Sequence, residues 1–177
     1  SNFFSSGKFY RTIAAFLITN PESSIEDLSL VIDENLNIDL NGFIYQDSQL
    51  YSKDINSKSS EIAKEKNVRN KISESLKLLN SKLTNGLIIE GRDMGSIVFP
   101  NADLKIYLDA SLEVRAKRRL EQSNESETFE DLQKRDANDM NRAESPLIIP
   151  DGALYIDNTD IDMSDVVKVV KENLMLQ

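Results

Sequence analysis

Apolar residues recur with two different periods along this chain, and each period predicts a different element. Over residues 8–19 they return every three or four positions, which predicts an amphipathic helix that Ser5 or Ser6 caps and Asn20-Pro21 ends. Helical spacing is weaker over residues 25–33. Further helices are predicted over residues 54–81, as a pair that breaks near Asn67, and over residues 112–122, 129–142 and 164–176.

Strict alternation of apolar and polar residues, which is typical of half-buried strands, occupies residues 36–40 and 43–46. Asn41-Gly42 separates the two runs, and this dipeptide suits the positive φ angles of a type I′ turn. The segment is therefore predicted to be a β-hairpin. Because an isolated hairpin is only marginally stable, we expect it to pack on a neighbouring element.

Three short apolar runs, residues 86–90, 104–108 and 153–157, are separated by predicted helices. This alternation predicts an α/β fold with a parallel sheet and flanking helices. Ligands of such sheets bind beyond the carboxyl ends of the strands. The residues that follow each run are therefore candidate site residues: Glu90-Gly91-Arg92-Asp93, Asp109-Ala110-Ser111 and Asp157-Asn158-Thr159.

The composition excludes several classes of chemistry. The 177 residues include neither histidine nor cysteine, which removes disulfides, thiolate metal sites and nucleophile pairs that depend on histidine. Catalysis must therefore rest on carboxylates, hydroxyls, lysine, arginine and metal-phosphate chemistry. A net charge of −9 argues against a general nucleic-acid surface, and no apolar run is long enough to span a membrane. We expect a cytoplasmic monomer that binds neither nucleic acid nor membranes.

The residues that follow the run at 86–90 carry the first candidate constellation. The Arg92 guanidinium suits a phosphate, and the Asp93 carboxylate can accept hydrogen bonds from an amino group. Gly91 and Gly95 allow the backbone to turn tightly there. The alternative is a structural ion pair between Arg92 and Asp93 that closes a loop, and the sequence leaves both interpretations open.

Two arginine clusters lie further along the chain. A helix would place Arg135, Asp139 and Arg142 on one face, where the arginines could bind phosphate and the aspartate a sugar hydroxyl. Periodicity alone favours the alternative, a solvated face with i,i+4 ion pairs. The second cluster ends a predicted helix, where positive charge is favourable on dipole grounds alone, and it comprises Arg115, Arg118 and Arg119.

Ser6-Gly7-Lys8 has the appearance of the end of a phosphate-binding P-loop, G-x-x-x-x-G-K-[ST]. Phe9 stands where the hydroxyl residue belongs, and Asn2 stands where the first glycine belongs. No apolar strand is predicted before Ser6. The stretch is therefore not a P-loop.

Three segments together resemble the bacterial cytidylate kinases, a family of nucleoside monophosphate kinases. They are Ser6-Gly-Lys-Phe-Tyr-Arg11, Glu90-Gly-Arg-Asp-Met-Gly-Ser-Ile-Val-Phe-Pro100, and Arg135-Asp-x-x-Asp139-x-x-Arg142 with the Ser-Pro-Leu that follows. The resemblance covers nearly the whole chain. It implies a P-loop kinase sheet with an inserted monophosphate-binding region and a lid. The implied single kinase domain, 1–177, divides into a core (1–27, 84–117, 143–177), an insert (28–83) and a lid (118–142).

The resemblance also implies an activity, the transfer of a phosphoryl group from ATP to CMP or dCMP with Mg²⁺. Such transfer depends on positioning and charge stabilisation, which suits a chain without histidine. No metal ligand is implied within the chain. The implied roles are CMP phosphate for Ser6 and Arg11, cytosine for Ser60, Arg69 and Asp93, ribose for Asp139, catalysis at the phosphates for Arg92, Arg135 and Arg142, and ATP for Arg115, Arg118 and Arg119.

The chain departs from the family pattern at its start. Ser5 stands where the family has aspartate, and the family's first strand and P-loop are expected immediately before Phe3. Either these elements lie upstream or the protein lacks them. We favour the first explanation, because loss of a central strand would expose a parallel sheet. The alternative functions are a CMP-binding kinase relic without ATP binding and another nucleoside monophosphate kinase.

Overall fold

The computed structural model describes residues 2–33, 35–123, 128–141 and 143–175. They form two compact units, of which unit 1 comprises Ser1–Arg92 and Arg142–Pro146, and unit 2 comprises Asp93–Asn141 and Leu147–Gln177. Each unit contains a parallel pair of strands with flanking helices, which confirms the predicted α/β class. The division into core, insert and lid stays a prediction.

Unit 1 opens with strand β1 (Asn2–Ser5), which pairs in parallel with β5 (Leu87–Glu90) and places Ser5 opposite Glu90. The expectation that no strand precedes Ser6 was therefore wrong. The run contains only two apolar residues, too few for a periodic signal. Pairing with the more apolar β5 decides its conformation, since β-propensity depends strongly on tertiary context.

Helix α1 (Gly7–Thr19) follows β1 directly and packs against α2 (Lys53–Ile62). Its buried face includes Phe9, whose ring centroid lies 5.3 Å from that of Phe4 on β1. The helix matches the prediction and ends at Asn20, but the predicted serine cap does not form. Ser6 stands at the N-cap position without a side-chain hydrogen bond to the helix.

The predicted hairpin is confirmed by strands β3 (Ile38–Leu40) and β4 (Phe43–Ile44). Asn41 and Gly42 have φ angles of 54° and 85°, as a type I′ turn requires. Strand β2 (Leu30–Ile32) pairs antiparallel with β3, so the helix predicted over residues 25–33 was wrong. The open edge of the hairpin and two β-branched residues outweigh the weak helical spacing there.

Helices α2 and α3 (Lys66–Lys82) are separated by residues 63–65, which confirms the predicted pair, with the break two residues before Asn67. Residues 63–65 are good helix formers, so the break has no local signal. Instead, the Ala63 carbonyl accepts a hydrogen bond from Arg69 Nη1 at 2.9 Å. The buried apolar side chains of unit 1 include Phe4, Phe9, Ile13, Phe16, Leu28, Ile38, Leu40, Leu50, Ile62, Val68, Ile72 and Leu76.

Unit 2 is built on the parallel pair β6 (Ile106–Asp109) and β7 (Leu154–Asp157). The π-helical turn Met94–Val98 precedes β6. The helices are α4 (Leu112–Ser123), α5 (Phe129–Asn141) and α6 (Met163–Leu174). The buried apolar residues include Met94, Val98, Ala110, Ala116, Leu132, Ile156 and Val166. Across the described parts of both units, no helix is long and apolar enough to cross a membrane.

Candidate active site

Strand β1 and helix α1 place Ser6, Gly7 and Arg11 at one end of unit 1. Ser6 is buried, and its backbone N–H donates to the Glu90 carbonyl at 2.8 Å. The first N–H groups of α1 have no acceptor within the helix, and together with the helix dipole they favour an anion at this end.

Arg11 is a buried cation with an exposed fraction of only 8%. Its Nη2 donates to the Tyr51 hydroxyl at 3.2 Å, and its Cζ lies 4.5 Å from the centroid of the Tyr51 ring. Its Nε is buried without a hydrogen-bond partner. On the other side, a methyl group added to Gly7 would lie 3.3 Å from Nη1, so the guanidinium sits close to the Gly7 backbone.

No carboxylate in the described part of the chain forms an ion pair with Arg11. Burying a charge without a counter-ion is costly, and the cost falls when an anion binds beside it. The guanidinium and the N-terminus of α1 therefore make this end of the helix favourable for an anionic group.

A second cation lies on the same turn of α1. Lys8 Nζ forms an ion pair with Asp47 Oδ1 at 2.8 Å. Asp47 begins a short 3₁₀ turn, Asp47–Gln49, whose last residue Gln49 bonds reciprocally with Gln46, the residue before the turn. The segment 46–51 therefore contacts the first turns of α1 twice, through Asp47 and through Tyr51.

The structure brings Arg69 to the same helix end. This side chain on α3 is buried, and its Cζ lies 5.8 Å from the ring centroid of Tyr10, the neighbour of Arg11 on α1. Ser60 lies on α2, where it is exposed and its Oγ donates to the Asn56 carbonyl at 3.0 Å. The expected roles of Arg69 and Ser60 at the cytosine stay predictions.

Arg92 and Asp93 follow β5, as predicted. Asp93 is buried, and its carbonyl accepts from the N–H groups of Ile97 and Val98 at 2.9 and 3.2 Å, which begins the π-helical turn. Gly95 is needed within that turn because a side chain there would meet Pro150 Cγ at 3.0 Å. The functional roles of Arg92 and Asp93 stay predictions.

Helix α5 carries Arg135 and Asp139 one turn apart, and both are half-buried. The Asp139 carbonyl accepts from the Leu147 N–H at 2.8 Å, so α5 is tied to the chain that follows it. Arg142, the third residue of the predicted face, lies outside the described residues, as does part of the predicted lid at 124–127. Their roles at phosphates and ribose stay predictions.

The arginines of α4 have partners in the fold. Arg115 forms an ion pair with the buried Asp136 on α5, and its Nε donates to the Ala110 carbonyl at 2.9 Å. Arg118 donates from Nη1 and Nη2 to the side chain and backbone oxygens of Asn158, both at 2.9 Å. These contacts hold α4 against α5 and the end of β7. The expected role of these arginines and Arg119 at ATP is untested.

The carboxyl ends of β6 and β7 bring Asp109 and Asp157 opposite each other in register, as predicted for parallel strands. The Tyr155 hydroxyl donates to Asp109 at 2.8 Å, and this bond to a carboxylate raises the pKa of Tyr155. The Thr159 hydroxyl donates to Asp157 at 2.6 Å and lowers the pKa of that carboxyl.

Sequence reasoning missed three residues that these contacts reveal. Tyr51 and Asp47 meet α1 from about forty positions along the chain, and Asp136 meets Arg115 from a separate helix. Local spacing carries no signal for such pairs. In the described residues there is also no group of three or more acidic side chains that could hold a metal ion.

Comparison with known proteins identifies the family. The family model described as "Cytidylate kinase" matches residues 1–175, almost the entire chain. The chain belongs to the cytidylate kinase family. The expected family is therefore confirmed, and with it a phosphotransferase of the P-loop nucleoside monophosphate kinase fold.

Individual cytidylate kinases show the same likeness. The protein from Chlamydia pneumoniae is 34% identical over 184 residues, which cover 96% of this chain and 84% of that protein. The one from Fusobacterium nucleatum is also 34% identical, over 95% of this chain and 83% of its own. A Mycoplasma capricolum relative reaches 46% identity over 93 residues, 48% of this chain and 42% of its own. These matches support phosphorylation of CMP or dCMP and do not favour the kinase relic.

Proposed function

We propose that this cytidylate kinase binds the phosphate of CMP or dCMP at the N-terminal end of α1. The observation that carries the proposal is Arg11, a buried guanidinium whose side-chain partner is a neutral tyrosine. The helix N-terminus at Gly7 adds a favourable dipole. Ser6, buried at the same junction, is proposed to contact the phosphate as well.

For the base, we propose that Arg69, Ser60 and Asp93 discriminate cytosine, as the family resemblance implies. Arg69 is supported by its burial and by its place beside Tyr10. A buried polar group left without a partner by the wrong base costs roughly 1–3 kcal/mol, so such a site selects by hydrogen bonding.

The donor is proposed to be ATP with Mg²⁺. Mg²⁺ commonly binds through substrate phosphates and a few carboxylates rather than a dedicated protein cage, so a chain without an acidic cluster in its described parts fits this role. The metal, when bound, would neutralise charge on the transferred phosphates. Arg92, Arg135 and Arg142 are proposed to stabilise the remaining charge, and Arg115, Arg118 and Arg119 to serve ATP.

The family resemblance and the composition also support proposals about the cellular location and the oligomeric state. We propose that the protein acts in the cytoplasm on small nucleotides and that it does so as a monomer. Size-exclusion chromatography with light scattering tests the second part, and a dimer mass would contradict it.

A coupled assay of ADP release tests the activity on the full chain with ATP and Mg²⁺. CMP and dCMP are expected to be turned over faster than UMP or AMP. Faster turnover of UMP or AMP would overturn the assignment of substrate. Arg11→Ala is expected to lower kcat/KM for CMP by about 100-fold, since charge-assisted bonds contribute ~1.5–3 kcal/mol.

The matched control is Lys77→Ala, which removes one positive charge from an exposed position on α3 of the same unit. It is expected to leave kcat/KM unchanged. If both variants lost activity equally, a general charge effect would explain the loss and Arg11 would have no specific role.

A further inference from the structure

Tyr51 is the one side chain that supplies both a hydrogen-bond acceptor and an aromatic face to Arg11 among the described residues. Its hydroxyl accepts from Nη2 at 3.2 Å, while its ring lies 4.5 Å from Cζ. The guanidinium therefore lies against the Tyr51 ring, and its Nη1 approaches the Gly7 backbone. Tyr51 on one side and the Gly7 backbone on the other limit the rotation of the Arg11 side chain. We therefore expect Tyr51 to set the orientation of the guanidinium.

Tyr51 is a neutral partner, unlike the Asp136 carboxylate that pairs with Arg115. A carboxylate would neutralise Arg11 and compete with an anionic ligand for its N–H groups. A phenol ring attracts the cation through its π face but carries no charge. Arg11 is thus held in place while its full positive charge stays available to a ligand.

Tyr51 is itself positioned from outside α1. It follows the 3₁₀ turn that begins with Asp47, the partner of Lys8, and it precedes Ser52, which caps α2 by accepting from the Ile55 N–H. The neighbouring Leu50 is buried. Although 56% of Tyr51 is exposed, both sides of its backbone are therefore anchored.

We propose that Tyr51 is a positioning residue for the acceptor phosphate: it holds the Arg11 guanidinium in the orientation that binds the phosphate of the nucleoside monophosphate. The inference rests on the proposed role of Arg11. It predicts a loss of affinity confined to ligands that carry the phosphate, because the ring acts through Arg11 and not on the nucleoside.

Isothermal titration of the full chain with CMP and with cytidine tests the proposal. Tyr51→Ala is expected to weaken CMP binding by about tenfold and to change cytidine binding by less than about twofold. Tyr51→Phe keeps the ring, so a loss of about two- to threefold is expected for CMP. In steady-state turnover, the KM for CMP should rise in the same order while the KM for ATP stays constant.

Tyr45→Ala is the matched control, since this tyrosine lies just before the segment 46–51 and makes no hydrogen bond or ring contact with Arg11 in the described structure. It should leave the ratio of CMP to cytidine affinity unchanged. Far-UV circular dichroism and the urea midpoint establish that each variant is folded. Exposure of Tyr51 makes its truncation tolerable, and Tyr51→Phe keeps the test decisive if Tyr51→Ala does not fold.

Two results would overturn the inference alone: unchanged CMP binding in Tyr51→Ala, or an equal loss for CMP and cytidine, which would show a merely structural role. A different result would overturn the proposed phosphate site together with it. That result is a wild-type protein that binds cytidine as tightly as CMP, because Arg11 would then contribute nothing to phosphate binding.

Discussion

Arg11 in unit 1 and Arg115 in unit 2 are held in opposite ways. Arg11 is buried against a neutral tyrosine, whereas Arg115 forms an ion pair with a carboxylate, Asp136, whose exposed fraction is 7%. A buried cation with a neutral partner keeps its charge for a ligand, while a buried ion pair satisfies itself within the fold. The contrast separates Arg11, which we propose binds the substrate phosphate, from Arg115, whose ion pair joins two helices.

The largest effect on stability is expected from breaking the pair in unit 2. Arg115→Ala should lower the free energy of unfolding by about 2 kcal/mol, because the charge-assisted hydrogen bond to the buried Asp136 would be lost. Urea denaturation measures this change. The double variant Arg115→Met with Asp136→Leu should recover much of the loss. A single variant as stable as the wild type would show that the pair contributes little.

In unit 1, we expect the opposite result, a loss of CMP affinity without a loss of stability. Arg11→Met should reduce CMP affinity by about 100-fold, yet leave the free energy of unfolding unchanged or slightly raised, since it removes a buried charge that has no acidic partner among the described residues. Calorimetry with CMP and urea denaturation without ligand measure the two quantities. A marked loss of stability would mean that Arg11 holds the fold as Arg115 does.

A smaller effect is expected at the end of β7. Asn158→Ala removes the side-chain acceptor of Arg118 but keeps the backbone acceptor, so a loss of about 1 kcal/mol in the free energy of unfolding is expected. Asn173→Ala on α6 serves as the control, because its side chain bonds only within its own helix in the described structure. Equal effects of the two variants would argue against a special role for the Arg118 contact.

The smallest effect concerns the pH dependence of unit 1. Hydrogen bonds from Ser24 and Asn67 lower the pKa of Glu26 from 4.5 to about 2. Because the folded pKa lies below the unfolded one, the contribution of Glu26 to stability is complete above about pH 4.5 and is lost as the pH falls towards 2.

Glu26→Gln should therefore lower the urea midpoint slightly at pH 6, and the difference from the wild type should shrink on acidification. Glu22→Gln, at an exposed position nearby, is the control. A difference between Glu26→Gln and the wild type that is the same at pH 6 and pH 3 would contradict this account.

Much of the fold was predictable where a local signal was strong. The helix beginning at Gly7, the hairpin at Asn41-Gly42 and three of the parallel strands follow from periodicity and turn chemistry. Strand β1 was missed because it contains only two apolar residues, and β2 was missed because weak helical spacing covers it; both form through pairing with a neighbouring strand. The candidate site was proposed from residue types on two motifs, Ser6 to Arg11 and Glu90 to Asp93, and both lie within the range that the family model matches.

By itself, the sequence determined the chemistry open to this protein. The absence of histidine and cysteine excludes the chemistry that depends on them, and the three motifs identify the family, whose activity is phosphoryl transfer. Only the tertiary structure decided which arginine keeps its charge available. Tyr51 contacts Arg11 across forty positions of the chain and Asp136 contacts Arg115 across twenty-one, and because local spacing carries no signal for such distant pairs, only the folded chain shows which arginine has a neutral partner and which a carboxylate.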